Sequence, residues 1–143
     1  MSHATKITTV TGEDGTPIGI YIHTPQGTYL PMVRAEGGQG YLFPDRDRSG
    51  RTVGSHTPQQ ARQRVELAYG LRRRRAGHEP AQIWDLRVGD LVEITGFRGA
   101  KDVVTVTNTF EYDGALFVTD ETGFEHTLTP EEDSVRFIKA VAL

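Results

Sequence analysis

KDVVTVTNTFEYDGALFVTDETG, residues 101–123, is the stretch whose reading decides the fold. Val104 and Val106 alternate with polar neighbours, the period of a half-buried strand. Asp113-Gly114 is a two-residue hairpin signal, because these residue types tolerate the positive φ that such a turn demands. The alternation resumes with Ala115 and Phe117 on one face and Leu116 and Val118 on the other, and DETG, residues 120–123, supplies the next turn. Working outward, VGDLVEITGF places Val92 and Ile94 on one face, and FEHTL and VRFIKAV form two closing strands separated by the acidic TPEED turn. Five short, sharply turned antiparallel strands bury one shared core only by curling, so a small, partly open barrel is predicted.

Residues 85–139 resemble an SH3-like barrel. The resemblance rests on the VGD lead-in to the first strand, a longer loop near TGFRGAKD, a three-stranded meander, a one-turn connector at PEED and a last strand. It implies a fold and no ligand, since no SH3 ligand-site motif accompanies it.

The first half reads as short strands followed by a helix. In PIGIYIHT, Ile18, Ile20 and Ile22 alternate with Gly19, Tyr21 and His23. TPQG, residues 24–27, turns the chain into TYLPMV, where Pro31, lacking a backbone donor, argues for an edge strand. After AEGGQG, the short YLF at 41–43 makes a third strand. HTPQQARQRVELAYG opens a helix: Thr57 is the N-cap, Pro58 the first helical residue and Gln60 the third, the spacing of a capping box. Ala61, Val65 and Ala68 or Tyr69 form its apolar stripe. Gly70 ends this helix, or it runs through the arginines to Ala76 and stops at Gly77. IGIYI, TYLPMV, YLF and the VGSHTPQQA lead-in together resemble the N-terminal arm domains of phage integrases and double-stranded RNA-binding domains, a likeness that implies a sheet laid on DNA.

The expected fold class is therefore α+β, mostly β: a three-stranded antiparallel sheet with one helix over residues 1–78, and a five-stranded SH3-like barrel over 79–143. HEPAQIWDLR, residues 78–87, connects the two, with Trp84 and Leu86 tucked against the second half.

Composition narrows the classes of function. With 36% hydrophobic and 24% charged residues, the 143-residue chain is built to fold. No stretch approaches the roughly 20 apolar residues of a membrane span, and MSHATKITTV has no signal-peptide core, so a cytoplasmic location is expected. The absence of cysteine excludes disulfides, thiolate zinc sites and cysteine nucleophiles. The net charge of −3 hides a division: residues 1–78 carry 11 Lys and Arg against 6 Asp and Glu, whereas 79–143 carry 5 against 13. Such asymmetry suggests a basic face for an anionic partner, or two regions that attract each other.

GLRRRRAG, residues 70–77, focuses that question. Arg72, Arg73, Arg74 and Arg75, extended by Arg62 and Arg64, are candidate phosphate contacts, because guanidinium forks and counterion release favour nucleic acid. The same side chains complement a helix C-terminus, or meet the acidic second half, without any external partner. Phe97 and Tyr112, exposed together, would form a platform for a peptide or an unstacked base, and the acidic surroundings favour a protein or a basic peptide.

Other constellations are weak. Asp45, Asp47, Ser49 and Gly50 match the start of a calcium loop, but His56 stands where its bidentate glutamate belongs, so a polar turn is expected. The five histidines show no metal-ligand spacing, Ser55 and His56 point to opposite faces of an extended segment, and the acids around TPEED lack a general-acid partner. No metal, cofactor or catalytic residue is expected. The sequence points to a non-enzymatic, nucleic-acid-associated accessory protein acting through its basic helix end; the alternative is a protein-interaction adaptor whose barrel holds the partner.

Overall fold

The computed structural model describes residues 6–35, 40–43 and 53–142. The Asp45–Gly50 turn and Arg46, Arg48 and Arg51 lie outside the described residues. The protein is mostly β with one helix. It forms two compact units, Met1–Gly70 and Leu71–Leu143.

In the first unit, β1 (Lys6–Thr11), β2 (Pro17–His23), β3 (Tyr29–Arg34) and β4 (Tyr41–Leu42) make an antiparallel sheet in the order β1-β2-β3-β4. The sheet has four strands, not the expected three. KITTVT was not legible as a strand because only Ile7 and Val10 are apolar, and they do not alternate. Val10 is nevertheless fully buried, together with Ile18 and Val65.

β3 is an interior strand, contrary to the edge that Pro31 suggests, yet the physical reason behind that expectation survives. Tyr29 turns its N–H and C=O away from β2, to Ser55, and β4 pairs only with Val33 and Arg34. Pro31, on the same side as Tyr29, therefore faces the gap between these two pairings, where a missing N–H costs nothing.

The helix α1 runs over Pro58–Arg75. Thr57 Oγ1 accepts the Gln60 N–H, as expected of the cap, while Gln60 Oε1 accepts the His56 N–H. Ala61 and Val65 are fully buried, and Tyr21 and Tyr69 pack beside Val65. Close approach of helix and sheet requires Gly19: a Cβ there would collide with Val65 and the Met32 carbonyl oxygen. The helix takes the longer of its two possible lengths. Gly77, at φ 86°, ends it with His78 N–H donating to Arg73 C=O and Gly77 N–H to Arg74 C=O, which satisfies carbonyls left open at the helix end.

The second unit continues with a short 3₁₀ turn, Ile83–Asp85, and six strands: β5 (Leu91–Thr95), β6 (Lys101–Thr105), β7 (Asn108–Tyr112), β8 (Ala115–Thr119), β9 (Glu125–Leu128) and β10 (Ser134–Lys139). They form two open three-stranded sheets, β10-β5-β6 and β7-β8-β9. The segment expected as one long strand divides at Val106–Thr107. Val106 N–H donates to Asp90 C=O on one side, and Thr107 N–H donates to Thr119 C=O on the other, so the chain passes from one sheet into the next. Between the sheets lies a core of Val92, Ile94, Val104, Val106, Leu116, Val118, Leu128 and Val135, extended by Ile83 and Leu86, with Trp84 partly buried against it. Among the described residues no ladder joins β9 to β10.

Candidate functional site

Two of the four consecutive arginines are committed to the interior of their own unit. Arg75 is 6% exposed. Its Nη1 donates to Asp90 Oδ2 at 2.7 Å and to the Asp85 carbonyl at 2.8 Å, and its Nη2 to Asp90 Oδ1 at 2.7 Å and to the Val141 carbonyl at 2.8 Å. The guanidinium also lies over the Phe137 ring, 5.0 Å from its centre, a cation–π contact. Asp90, buried, completes the knot by accepting the backbone N–H groups of Arg87 and Val141. Arg74 grips Asp85 with two bonds, from Nε at 2.9 Å and Nη2 at 3.1 Å.

Of the six arginines expected to contact phosphate, Arg75 has Nη1 and Nη2 bonded to Asp90 and to two backbone carbonyls, and Arg74 holds Asp85 through Nε and Nη2, at charge-assisted lengths. Asp85 stands inside the 78–87 connection and Asp90 in the VGD lead-in to β5, where no spacing singles them out among the acids of the second half. Arg73 is more exposed and pairs with Glu79 at 3.5 Å. Arg72 is half-buried, and among the described residues no carboxylate pairs with it. In the first unit Arg62 is exposed, while Arg64 donates to the Val53 carbonyl.

Counted by these two units, the electrical contrast shrinks but keeps its sign. With the boundary at 70/71, the first unit carries seven Lys and Arg against six acids, and the second nine against thirteen. The arginine run belongs to the acidic unit and neutralises part of it.

The second candidate surface is the outer face of β7-β8-β9. Register places Phe110 opposite Phe117 and Tyr112 opposite Ala115, and Phe117 opposite Thr127. Directly opposed residues share a face, so Phe110, Tyr112 and Phe117 stand together while Leu116, Val118 and Leu128 point into the core. Phe110 and Tyr112 are near-parallel at 6.4 Å between ring centres, and Phe110 and Phe117 are tilted at 6.3 Å. The face is open to solvent: Phe110 is 60% exposed and Tyr112 65%.

Asp113, at φ 53°, and Gly114, at φ 77°, form the two-residue turn that sets this register, as the sequence suggests. Phe97 is 78% exposed but stands in the β5–β6 turn of the other sheet, and makes no ring contact with Tyr112 among the described residues. The ring that stands beside Tyr112 is Phe110. The missed signal was the two-residue period Asn108, Phe110, Tyr112, which puts both rings on one side.

Beside this face the β8–β9 turn is held by Asp120. Its Oδ1 accepts Thr122 Oγ1–H at 2.6 Å and the N–H groups of Thr122 and Phe124, and its Oδ2 lies 2.8 Å from His126 Nε2. The hydrogen bond from the Thr122 hydroxyl, and then that to His126, hold the Asp120 carboxyl well below the usual carboxylate range, outweighing the opposite effect of burial. The hydrogen bonds to the Asp120 carboxylate all come from residues 122–126, so the His–Asp pair reads as a turn clamp. Among the described residues, no three His, Asp or Glu side chains gather as a metal site, and no helix is long and apolar enough to cross a membrane.

Comparison with known proteins finds no matching family model, no matching curated protein and no matching solved structure.

Proposed function

We propose that this chain is a non-enzymatic interaction protein, an adaptor whose second unit is an SH3-like small barrel that holds a protein or peptide partner on the outer face of β7-β8-β9. The single observation that carries this reading is the exposed pair Phe110 and Tyr112, ring beside ring on one sheet face. Large aromatic rings held in water cost solvation and become binding anchors once a partner covers them. The strand order β10-β5-β6 followed by β7-β8-β9, linked through one bent segment, supports the barrel reading.

The test is paired affinity purification from the cells that make the protein. Wild type and the double variant Phe110→Ser/Tyr112→Ser are compared, with the fold of each checked by circular dichroism. Partners held by the wild type and lost by the folded double variant support the proposal. The same partners retained in the same amounts by both would overturn it.

The nucleic-acid reading keeps one favourable observation: Arg62 is exposed, and no carboxylate pairs with it or with Arg72 among the described residues. With Arg74 paired to Asp85 and Arg75 to Asp90, such binding would rest on fewer phosphate contacts and have a shallow salt dependence. It is checked by titrating duplex DNA at low salt against Arg62→Ala and Arg72→Ala; unaltered affinity in both variants refutes the assignment.

A further inference from the structure

The aromatic face borders an open sheet edge. β7 pairs with β8, and among the described residues no strand pairs with its other side. Tyr112 and Ala115 close a two-residue turn, so Tyr112, Phe110 and Asn108 direct their backbone groups toward β8. The N–H and C=O groups of Thr109 and Glu111 are consequently the ones directed outward, in the spacing that an added strand requires. A chain docking along this edge runs beside Phe110 and Tyr112, and every second side chain of it falls on the same face as the two rings.

The charge of the surroundings selects the occupant. Between Lys101 and Arg136 the chain contains nine acids and no Lys or Arg. Glu111 lies on β7 itself, Asp113 on its turn and Glu125 on β9. A phosphate backbone is repelled here. A second copy pairing antiparallel to β7 about Glu111 would set that residue against its own equivalent, and one pairing about Tyr112 would set it against Asp113, both unfavourable for like charges on adjacent strands. A cationic segment meets complementary charge on the same edge.

Resting on the interaction reading above, we propose that the partner is an extended, Lys- or Arg-bearing polypeptide segment that adds as a strand to β7 and lays alternate apolar side chains on Phe110 and Tyr112. The apolar side chains provide the anchor, the main chain the register, and the basic side chains the selectivity over acidic and nucleic-acid competitors.

The test uses the full chain and a fluorescein-labelled alternating lysine–valine peptide, with an alternating glutamate–valine peptide of equal length for comparison. The lysine peptide binds and the glutamate peptide does not. Amide exchange slows at Thr109 and Glu111 on binding. Phe110→Ala and Tyr112→Ala each weaken binding by about tenfold, the effect of a single aromatic anchor, while Glu111→Lys weakens it and flattens its salt dependence.

Equal binding of both peptides, no binding of the lysine peptide, or unchanged exchange at Thr109 and Glu111 would overturn strand addition by a basic segment. These results leave the broader interaction reading standing so long as cellular partners still depend on Phe110 and Tyr112. Self-association of the free chain, lost in Phe110→Ala, would instead identify a second copy as the occupant and also overturn the proposal.

Discussion

Replacing Asp90 by alanine tests the arginine reassignment most severely. The wild-type carboxylate accepts four hydrogen bonds, two from Arg75 at 2.7 Å and one each from the N–H groups of Arg87 at 2.7 Å and Val141 at 2.8 Å, and its side chain is fully buried. Asp90→Ala leaves a guanidinium buried without its counter-charge and orphans two backbone donors. Breaking a buried ion pair in this one-sided way costs about 3–5 kcal/mol. Small domains hold about 0.05–0.15 kcal/mol per residue, so a unit of this size has on the order of 4–11 kcal/mol to lose. The variant is therefore expected to unfold near room temperature or at very low urea. The only tryptophan, Trp84, packs on this unit's core, so its fluorescence reports the transition directly. The double variant Arg75→Met/Asp90→Ala should cost clearly less than the two single changes added together, because no lone charge then remains inside. An Asp90→Ala protein within about 1 kcal/mol of wild type, a shift closer to ordinary surface substitutions, would refute the claim that this pair is a buried structural knot.

Further expectations follow from other parts of the fold. Gly19→Ala forces a methyl group into Val65 and the Met32 carbonyl and should destabilise the first unit by about 1–3 kcal/mol, read by thermal unfolding; an unchanged melting temperature would contradict the close helix–sheet approach. Thr57→Ala removes the acceptor of the Gln60 N–H and should cost about 1 kcal/mol, whereas Thr57→Ser should recover most of it. Asp120 titrates below its ordinary range in the folded protein, so its contribution to stability is present above the unfolded-state value of 3.8 and is lost as pH falls through the depressed folded value. The urea midpoint of wild type should accordingly decline as pH is lowered below about 4, and Asp120→Asn should reduce that decline; equal slopes in the two proteins would exclude Asp120 as its source.

Much of the second unit was legible because its signals are local. Asp113-Gly114 needs only its own backbone preference to turn the chain, and Leu116 and Val118 reveal the core face by alternation alone. The bend at Val106–Thr107 was hidden, since the residues on both sides keep the same strand character while their hydrogen bonds change partners. β1 was hidden for a different reason: its burial depends on Val10 meeting Ile18 and Val65, a contact between distant residues. The arginine run shows the limit most plainly. Four identical side chains in sequence are a uniform patch on paper, but successive helix positions rotate by about 100°, which sends Arg75 inward to Asp90 and leaves Arg72 with no carboxylate among the described residues. Nothing in the residue type marks Phe110 as exposed, and only strand register places it beside Tyr112 in solvent.

The most direct measurement is chemical-shift mapping of the isotope-labelled full chain, titrated separately with the lysine–valine peptide and with short duplex DNA at low salt. The expected result is a set of peptide-induced shifts centred on residues 108–118, with DNA leaving that face and Arg74 and Arg75 undisturbed. Shifts centred on residues 72–75 with DNA, and none on β7 or β8 with the peptide, would contradict it.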